Sequence, residues 1–202
     1  MNAKAILFIV GGLALGLVAA VAVVPGARQA LLPAPGPTSS GKALIGGSFS
    51  LTDGSGKRVT DKDFRGKHML VFFGFTSCPD ICPAGLQLIS AALQNLGDKA
   101  DRVTPIFISV DPERDTPERL KDYVKNFDAR MAGLTGTPEE IEAVAKAYKV
   151  FYRKVPNEAS PGDYGMDHTS IIYLMDPRGE YVAHFTPTTT VDQMTQRLEK
   201  EL

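Results

Sequence analysis

Cysteine is scarce: two in 202 residues, too few for a disulfide framework, so the fold must rest on an apolar core. Charge of one sign is scarce too. Lysine and arginine total 22 against 23 acids, a net charge of −1, and this gives no basic surplus for a polyanion. Nucleic acid is therefore not an expected partner. No internal repeat is visible, and the length suits one ordinary domain with something attached.

What is attached lies at the N-terminus. Ala5 to Val24 runs for 20 residues without a charge or strong polar group, matching the roughly 20 a helix needs to cross a bilayer core. A cleavable signal peptide is the competing reading, but its apolar region is usually about 7–15 residues. An uncleaved anchor over residues 5–24 is expected, behind a short N-terminus of residues 1–4. No cysteine follows it to carry a lipid. Residues 25–41, "PGARQALLPAPGPTSSG", hold four prolines among small residues and read as a semi-extended tether. The folded domain is expected over residues 42–202. Lys4 and the α-amine on one side of the anchor, Arg28 and Lys42 on the other, leave the orientation open. The very short leading tail favours export of the C-terminal domain.

Within the domain, alternation around Gly54-Ser55-Gly56 predicts a hairpin of Ser48–Leu51 with Arg58–Thr60. A continuous apolar run, His68–Phe75, predicts a strand buried on both faces. Pro83 suits a first helical turn, and Leu86, Ile89, Leu93 and Leu96 recur at helical spacing to about Gly97. A second buried strand is expected at Thr104–Val110. Asp115-Thr116-Pro117-Glu118 reads as a helix start with a capping box, running through Tyr123 and Phe127. Thr137-Pro138-Glu139-Glu140 starts another helix, to about Tyr148. Ser170–Met175 and Glu180–Phe185 read as strands joined by the turn Asp176–Gly179, and Thr190 caps a last amphipathic helix. The order is an α/β fold with a mixed central sheet flanked by helices, and it matches a thioredoxin-like fold.

The two cysteines sit in "VFFGFTSCPDICPAGL", where an apolar strand meets a helix start, with three residues between them. That spacing leaves three uses open: redox exchange, a structural clamp or a metal. Facing the positive end of a helix dipole, both sulfurs are expected to favour thiolate, the form that binds metal and attacks disulfides. A structural disulfide would close only a few residues, where a crosslink stabilises least. His68 and His184 read as ordinary surface residues. His168, in "GDYGMDHTSIIYLMD", stands just before a strand, where oxidoreductases of this fold place a cis-proline; no proline occurs at Asp167–Ser170. Cys78, Cys82 and His168 thus form a candidate ligand set. It is one short of the four protein ligands of structural zinc and soft enough to favour copper. Met166, Asp167 and Asp80 are secondary candidates. Residues 154–165 lack periodicity and are expected to form a flexible loop carrying His168. "DPERDTPE", Asp111–Glu118, reads mainly as helix capping, with Asp111 close enough to the site for a supporting or docking role.

"FFGFTSCPDICP", "ISVDPERDTPERL" and "DHTSIIYLMDPRGEY", with "GGSFSLTDGSGKRVTDKDFRGK" before them, closely resemble the Sco/SenC family of membrane-anchored copper proteins, from about Ile45 onward. The resemblance implies one copper, Cu(I) or Cu(II), held by Cys78, Cys82 and His168. It implies a role in assembling the dinuclear CuA centre of cytochrome c oxidase subunit II, by copper delivery, by reduction of its cysteines, or by both. As a reductase, Cys78 and Cys82 would be the redox-active thiols. A second periplasmic copper chaperone would be the donor. The N-terminus lacks the Arg- and Ser-rich composition of a transit peptide, so the setting implied is a bacterial cytoplasmic membrane with the domain facing the periplasm.

Overall fold

The computed structural model describes residues 44–156 and 164–202. The expected N-terminus, anchor and tether lie outside them, and among the described residues no helix is long and apolar enough to cross a membrane.

Strand β3 (His68–Gly74) organises the domain. All seven of its residues are buried, as its unbroken apolar run predicts. Period two still divides the run: Leu70 and Phe72 enter one core cluster, Met69, Val71 and Phe73 the other. β4 (Val103–Ser109) pairs with β3 in parallel, and β8 (Ile172–Met175) pairs with it antiparallel on its other side. The remaining strands are β1 (Ser50–Asp53), β2 (Arg58–Thr60), β5 (Ala132–Thr135) and β9 (Tyr181–Phe185), giving a mixed sheet of order β2-β1-β5-β4-β3-β8-β9. The hairpin β1–β2 starts at Ser50 rather than Ser48. β5 had no clear sequence signal, because "AGLT" is short and half small residues; pairing with β4 and β1 makes it a strand.

Helices α1 (Ile81–Asn95), α2 (Pro117–Val124) and α4 (Val191–Glu201) cover the face bearing Leu70 and Phe72, contributing Leu86, Ile89 and Leu93, then Leu120, then Met194 and Leu198. Helix α3 (Pro138–Ala147) covers the other face with Ile141 and Val144. Burying each such side chain contributes about 1.5–3 kcal/mol. Thr137 and Glu140 form a capping box at the predicted start of α3. α2 is capped by Thr116 alone, since its third residue is Arg119, which cannot accept the return hydrogen bond; Asp115 is engaged elsewhere.

Two further expectations are corrected. Both described ends of the segment expected as a loop, residues 154–156 and 164–165, are strand, in a two-stranded ribbon of β6 (Tyr152–Pro156) with β7 (Tyr164–His168); residues 157–163 lie outside the described residues. His168 therefore ends a strand instead of riding a loop. His68 is not a surface residue: it is buried at the start of β3, and burial holds its pKa below the usual histidine value. His184 is exposed as expected, stacked on Tyr181.

Candidate metal centre

β3 ends at Gly74 on the same pleat as Leu70 and Phe72, so it points toward α1. A Cβ there would lie 2.6 Å from Cys82 Sγ and 2.8 Å from the Phe107 ring, so only glycine leaves room for the sulfur. α1 begins at Ile81, one residue before Cys82, and Cys78 lies in the preceding turn. The Cys82 N–H, an unpaired donor of the first helical turn, reaches Cys78 Sγ at 3.4 Å. The helix start thus serves Cys78. Cys82 is turned the other way, into the core with no exposed surface.

That orientation corrects the expectation of two thiolates. Burial pushes the Cys82 thiol well above its ordinary pKa, outweighing a backbone hydrogen bond at Phe75 that pulls it down. Without metal, Cys82 is a neutral thiol. The cysteines are not joined in a disulfide.

His168 completes the arrangement from the far end of β7. Its Nε2 lies 3.3 Å from Cys82 Sγ, and its Nδ1 lies 3.2 Å from the Thr169 carbonyl oxygen. The Nδ1–H donates to that carbonyl, which leaves Nε2 as the lone-pair nitrogen facing the sulfur. Burial lowers the His168 pKa, keeping the imidazole neutral and able to ligate. Phe75 meets the imidazole edge-on, centroids 5.9 Å apart at 90°, and Phe72 packs beside it at 6.3 Å. One ligand atom each from Cys78, Cys82 and His168 lie within 4.8 Å of one another, the only such group among the described residues. Every peptide bond among them is trans, so no cis-proline occupies the place opposite the cysteines.

Of the secondary candidates, the two aspartates do not join. Asp167 faces away from the site and pairs with Arg153 at 2.8 Å across the ribbon. Met166 packs against the core, and Asp80 is the exposed residue preceding α1.

The residues that sequence reasoning undervalued are those of "DPERDTPE", which hold both halves of the site. Asp115, fully buried, accepts from the Thr76 N–H at 3.0 Å, the Thr76 hydroxyl at 2.6 Å and the Ser109 hydroxyl at 2.6 Å. Arg119 adds hydrogen bonds to Thr76 and Ser77. Together they fix the turn that delivers Cys78. Asp111, 1% exposed, pairs with Arg114 and accepts from the Tyr164 hydroxyl at 2.8 Å. Arg114 also donates to the Tyr164 carbonyl at 2.9 Å and stacks on its ring at 3.8 Å. These contacts hold the start of β7, whose other end is His168. The signal was present: two aspartates and an arginine directly after a buried strand exceed what one helix cap needs.

Comparison with known proteins agrees with this geometry. The SCO1/SenC family model matches residues 37–202. The mitochondrial SCO1 homolog 1 of Arabidopsis thaliana is 47% identical over 165 residues, covering 81% of this chain and 49% of that protein. The structure of Bradyrhizobium japonicum ScoI with copper bound is 50% identical with a TM-score of 0.72, over 78% of this chain and 99% of that one. More distant, at 25% identity and a TM-score of 0.60 over 80% of this chain and 95% of that one, is BsSco, described as a member of the Sco family of cytochrome c oxidase assembly proteins with a disulfide switch. The chain spans about half the length of the plant, human and mouse relatives it matches. With its family-wide match, its thioredoxin-like sheet and its cysteine–cysteine–histidine cluster, this chain belongs to the SCO1/SenC family.

Proposed function

We propose that the protein is a copper metallochaperone that binds one Cu(I) or Cu(II) through Cys78, Cys82 and His168 and serves assembly of the CuA centre in cytochrome c oxidase subunit II. The convergence of those three ligand atoms within 4.8 Å carries the reading. Thiolates and an imidazole form a soft donor set suited to copper, and three protein ligands leave a position open for an incoming one. Ligand exchange follows from that opening. A ligand from the acceptor enters before Cys78, the more exposed sulfur, lets go.

Copper is the cargo; the chain's own residues control protons and position. The buried Cys82 thiol gives up its proton when its sulfur takes the ion, so copper uptake releases that proton to solvent. His168 releases none at neutral pH, because it is already neutral. Raising the Cys82 thiol pKa keeps that sulfur uncharged in the empty site and couples its ionisation to metal arrival. The apolar run at residues 5–24 supports a membrane anchor; the proposal sets it in a bacterial cytoplasmic membrane, with the domain facing the periplasm and a periplasmic copper chaperone as donor.

The test is copper titration of the reduced protein with spectroscopy of the Cu(II) form. One copper per chain is expected, with a thiolate-to-copper charge-transfer band abolished in Cys78→Ser and in Cys82→Ser. Unchanged Cu(II) affinity in His168→Ala would remove the ligand assignment.

A second reading has its own support in the closeness of the two free sulfurs. The pair could reduce a disulfide in the CuA-site protein, the two thiols becoming a Cys78–Cys82 disulfide as two electrons and two protons pass to the substrate sulfurs. If copper-free reduced protein leaves oxidised CuA-site cysteines unreduced while loaded protein still transfers copper, this reading falls.

A further inference from the structure

Beside the metal centre runs an uncharged groove of about 240 Å³. One wall is a single stripe of α1, where Ile81, Ala84, Gly85 and Leu88 recur at helical spacing; the other is the turn Thr186–Thr189. Phe72 forms part of the floor, and the same ring packs against His168. Ser170, two residues past His168, lines the near end. The groove therefore lies next to the ligand cluster, through Ile81 on its cysteine side and through Phe72 and Ser170 on its histidine side.

The metal centre restricts how another molecule can reach it. Cys82 has no exposed surface, leaving Cys78 and His168 as the accessible ligands. A partner that takes the ion must bring a ligand atom within about 2–2.3 Å of it, so its backbone must lie against the rim. Ile81, adjacent to Cys82, is 46% exposed there, an uncovered apolar side chain at the mouth of the groove. No charged residue lines the groove, and its volume falls below the roughly 300–1,000 Å³ usual for small-molecule sites. Both facts favour one apolar side chain of a protein over a free ligand or a charged peptide.

We propose that this groove is the docking site for the copper acceptor, receiving an aliphatic or aromatic side chain that flanks the acceptor's metal-binding cysteine. The proposal rests on the metallochaperone reading and adds to it the means by which a thiol on another protein is aligned with Cys78. The anchor side chain supplies orientation while the metal ligands supply the exchange, so docking and transfer are separable.

The test fills the groove without adding charge. Ala84→Phe occupies it from an exposed position on α1 outside the ligand set, and Ala143→Phe places the same ring on exposed α3 as a control. Full-length copper-loaded protein is mixed with the reduced, metal-free copper-site domain of cytochrome c oxidase subunit II, and separately with a small copper chelator. The expected result is transfer to the domain slowed at least tenfold in Ala84→Phe alone, with transfer to the chelator and the charge-transfer band unchanged. Methyl resonances of Ile81, Leu88 and Ile172 should shift on adding the domain while that of Ile141 stays fixed. Wild-type transfer with no slowing in Ala84→Phe and no groove shifts overturns the groove and leaves the metallochaperone standing. No transfer from the wild type overturns the chaperone reading, and the groove proposal falls with it unless the methyls still shift. Groove shifts that grow with protein concentration in the absence of the domain would assign the groove to a second copy of this chain and overturn the proposal.

Discussion

The Tyr164 hydroxyl donates to Asp111 Oδ1 at 2.8 Å, joining residues 53 positions apart. Asp111 follows β4, which lies beside the strand leading to the cysteines, and Tyr164 opens the strand that ends in His168. This hydrogen bond thus helps to tie together the two sources of ligands. Burial and this bond push the Tyr164 phenol up to about 12, so it remains a donor at neutral pH.

Tyr164→Phe should therefore loosen His168 more than it destabilises the domain. A hydrogen bond to a charged group contributes about 1.5–3 kcal/mol, and Asp111 keeps its Arg114 partner. The expected outcome is a roughly tenfold weaker Cu(II) affinity, since about 1.4 kcal/mol is tenfold, with Cu(I) binding by the cysteines less affected. Competition titrations in both oxidation states check this. Equal losses in both would show that Tyr164 acts on the whole fold.

Gly74→Ala places a methyl against Cys82 Sγ and Phe107 at once. Overpacking of this kind costs about 1–3 kcal/mol, and here the sulfur must move to relieve it. Thermal denaturation should show a lowered Tm, and copper binding should weaken in molecules that remain folded. Full affinity with full stability would show that the strand end can shift.

His68 gives the stability a pH dependence unrelated to metal. Its folded pKa is held below its unfolded value by burial, so between the two the unfolded chain binds the extra proton. Stability contributed by neutral His68 is complete above about pH 6.5 and is lost as pH falls toward the folded pKa. Urea titrations of metal-free protein across pH 5–8 should show this decline, flattened in His68→Gln. An identical slope in the variant would assign the decline to other groups.

Copper uptake should release the Cys82 proton near pH 7. Calorimetry in buffers of different ionisation enthalpy counts the protons released. The count should fall by about one in Cys82→Ser. An unchanged count in that variant would mean that Cys82 is already ionised in the empty site, against its burial.

Sequence made the fold visible wherever one local rule sufficed. The run His68–Phe75 could only be a doubly buried strand, and Thr137 with Glu140 could hardly be other than a helix start. Cys78, Cys82 and His168 were legible because thiols and imidazoles are few and chemically distinctive. What escaped depended on partners distant in the chain. β5 is a strand because β4 and β1 flank it; Asp115 looked like a cap because its true partners, Thr76 and Ser109, lie across the sheet's end. Local reasoning also treated both sulfurs alike. Their difference arises from which way each points at one helix start, one toward the amides and one into the core.

The ligands also differ in what each must disturb to let go. Cys82 is wedged between Gly74 and the interior, and withdrawing it would unseat α1 from the sheet. His168 belongs to β6–β7, a ribbon paired only with itself and outside the seven-stranded sheet. Moving the imidazole disturbs the ribbon and its contacts with Asp111 and Arg114, whereas moving the Cys82 sulfur disturbs the core. Cys78, half-buried in the turn before α1, stands on a third support. The three candidate ligands thus rest on supports of unequal stiffness: core, ribbon and turn.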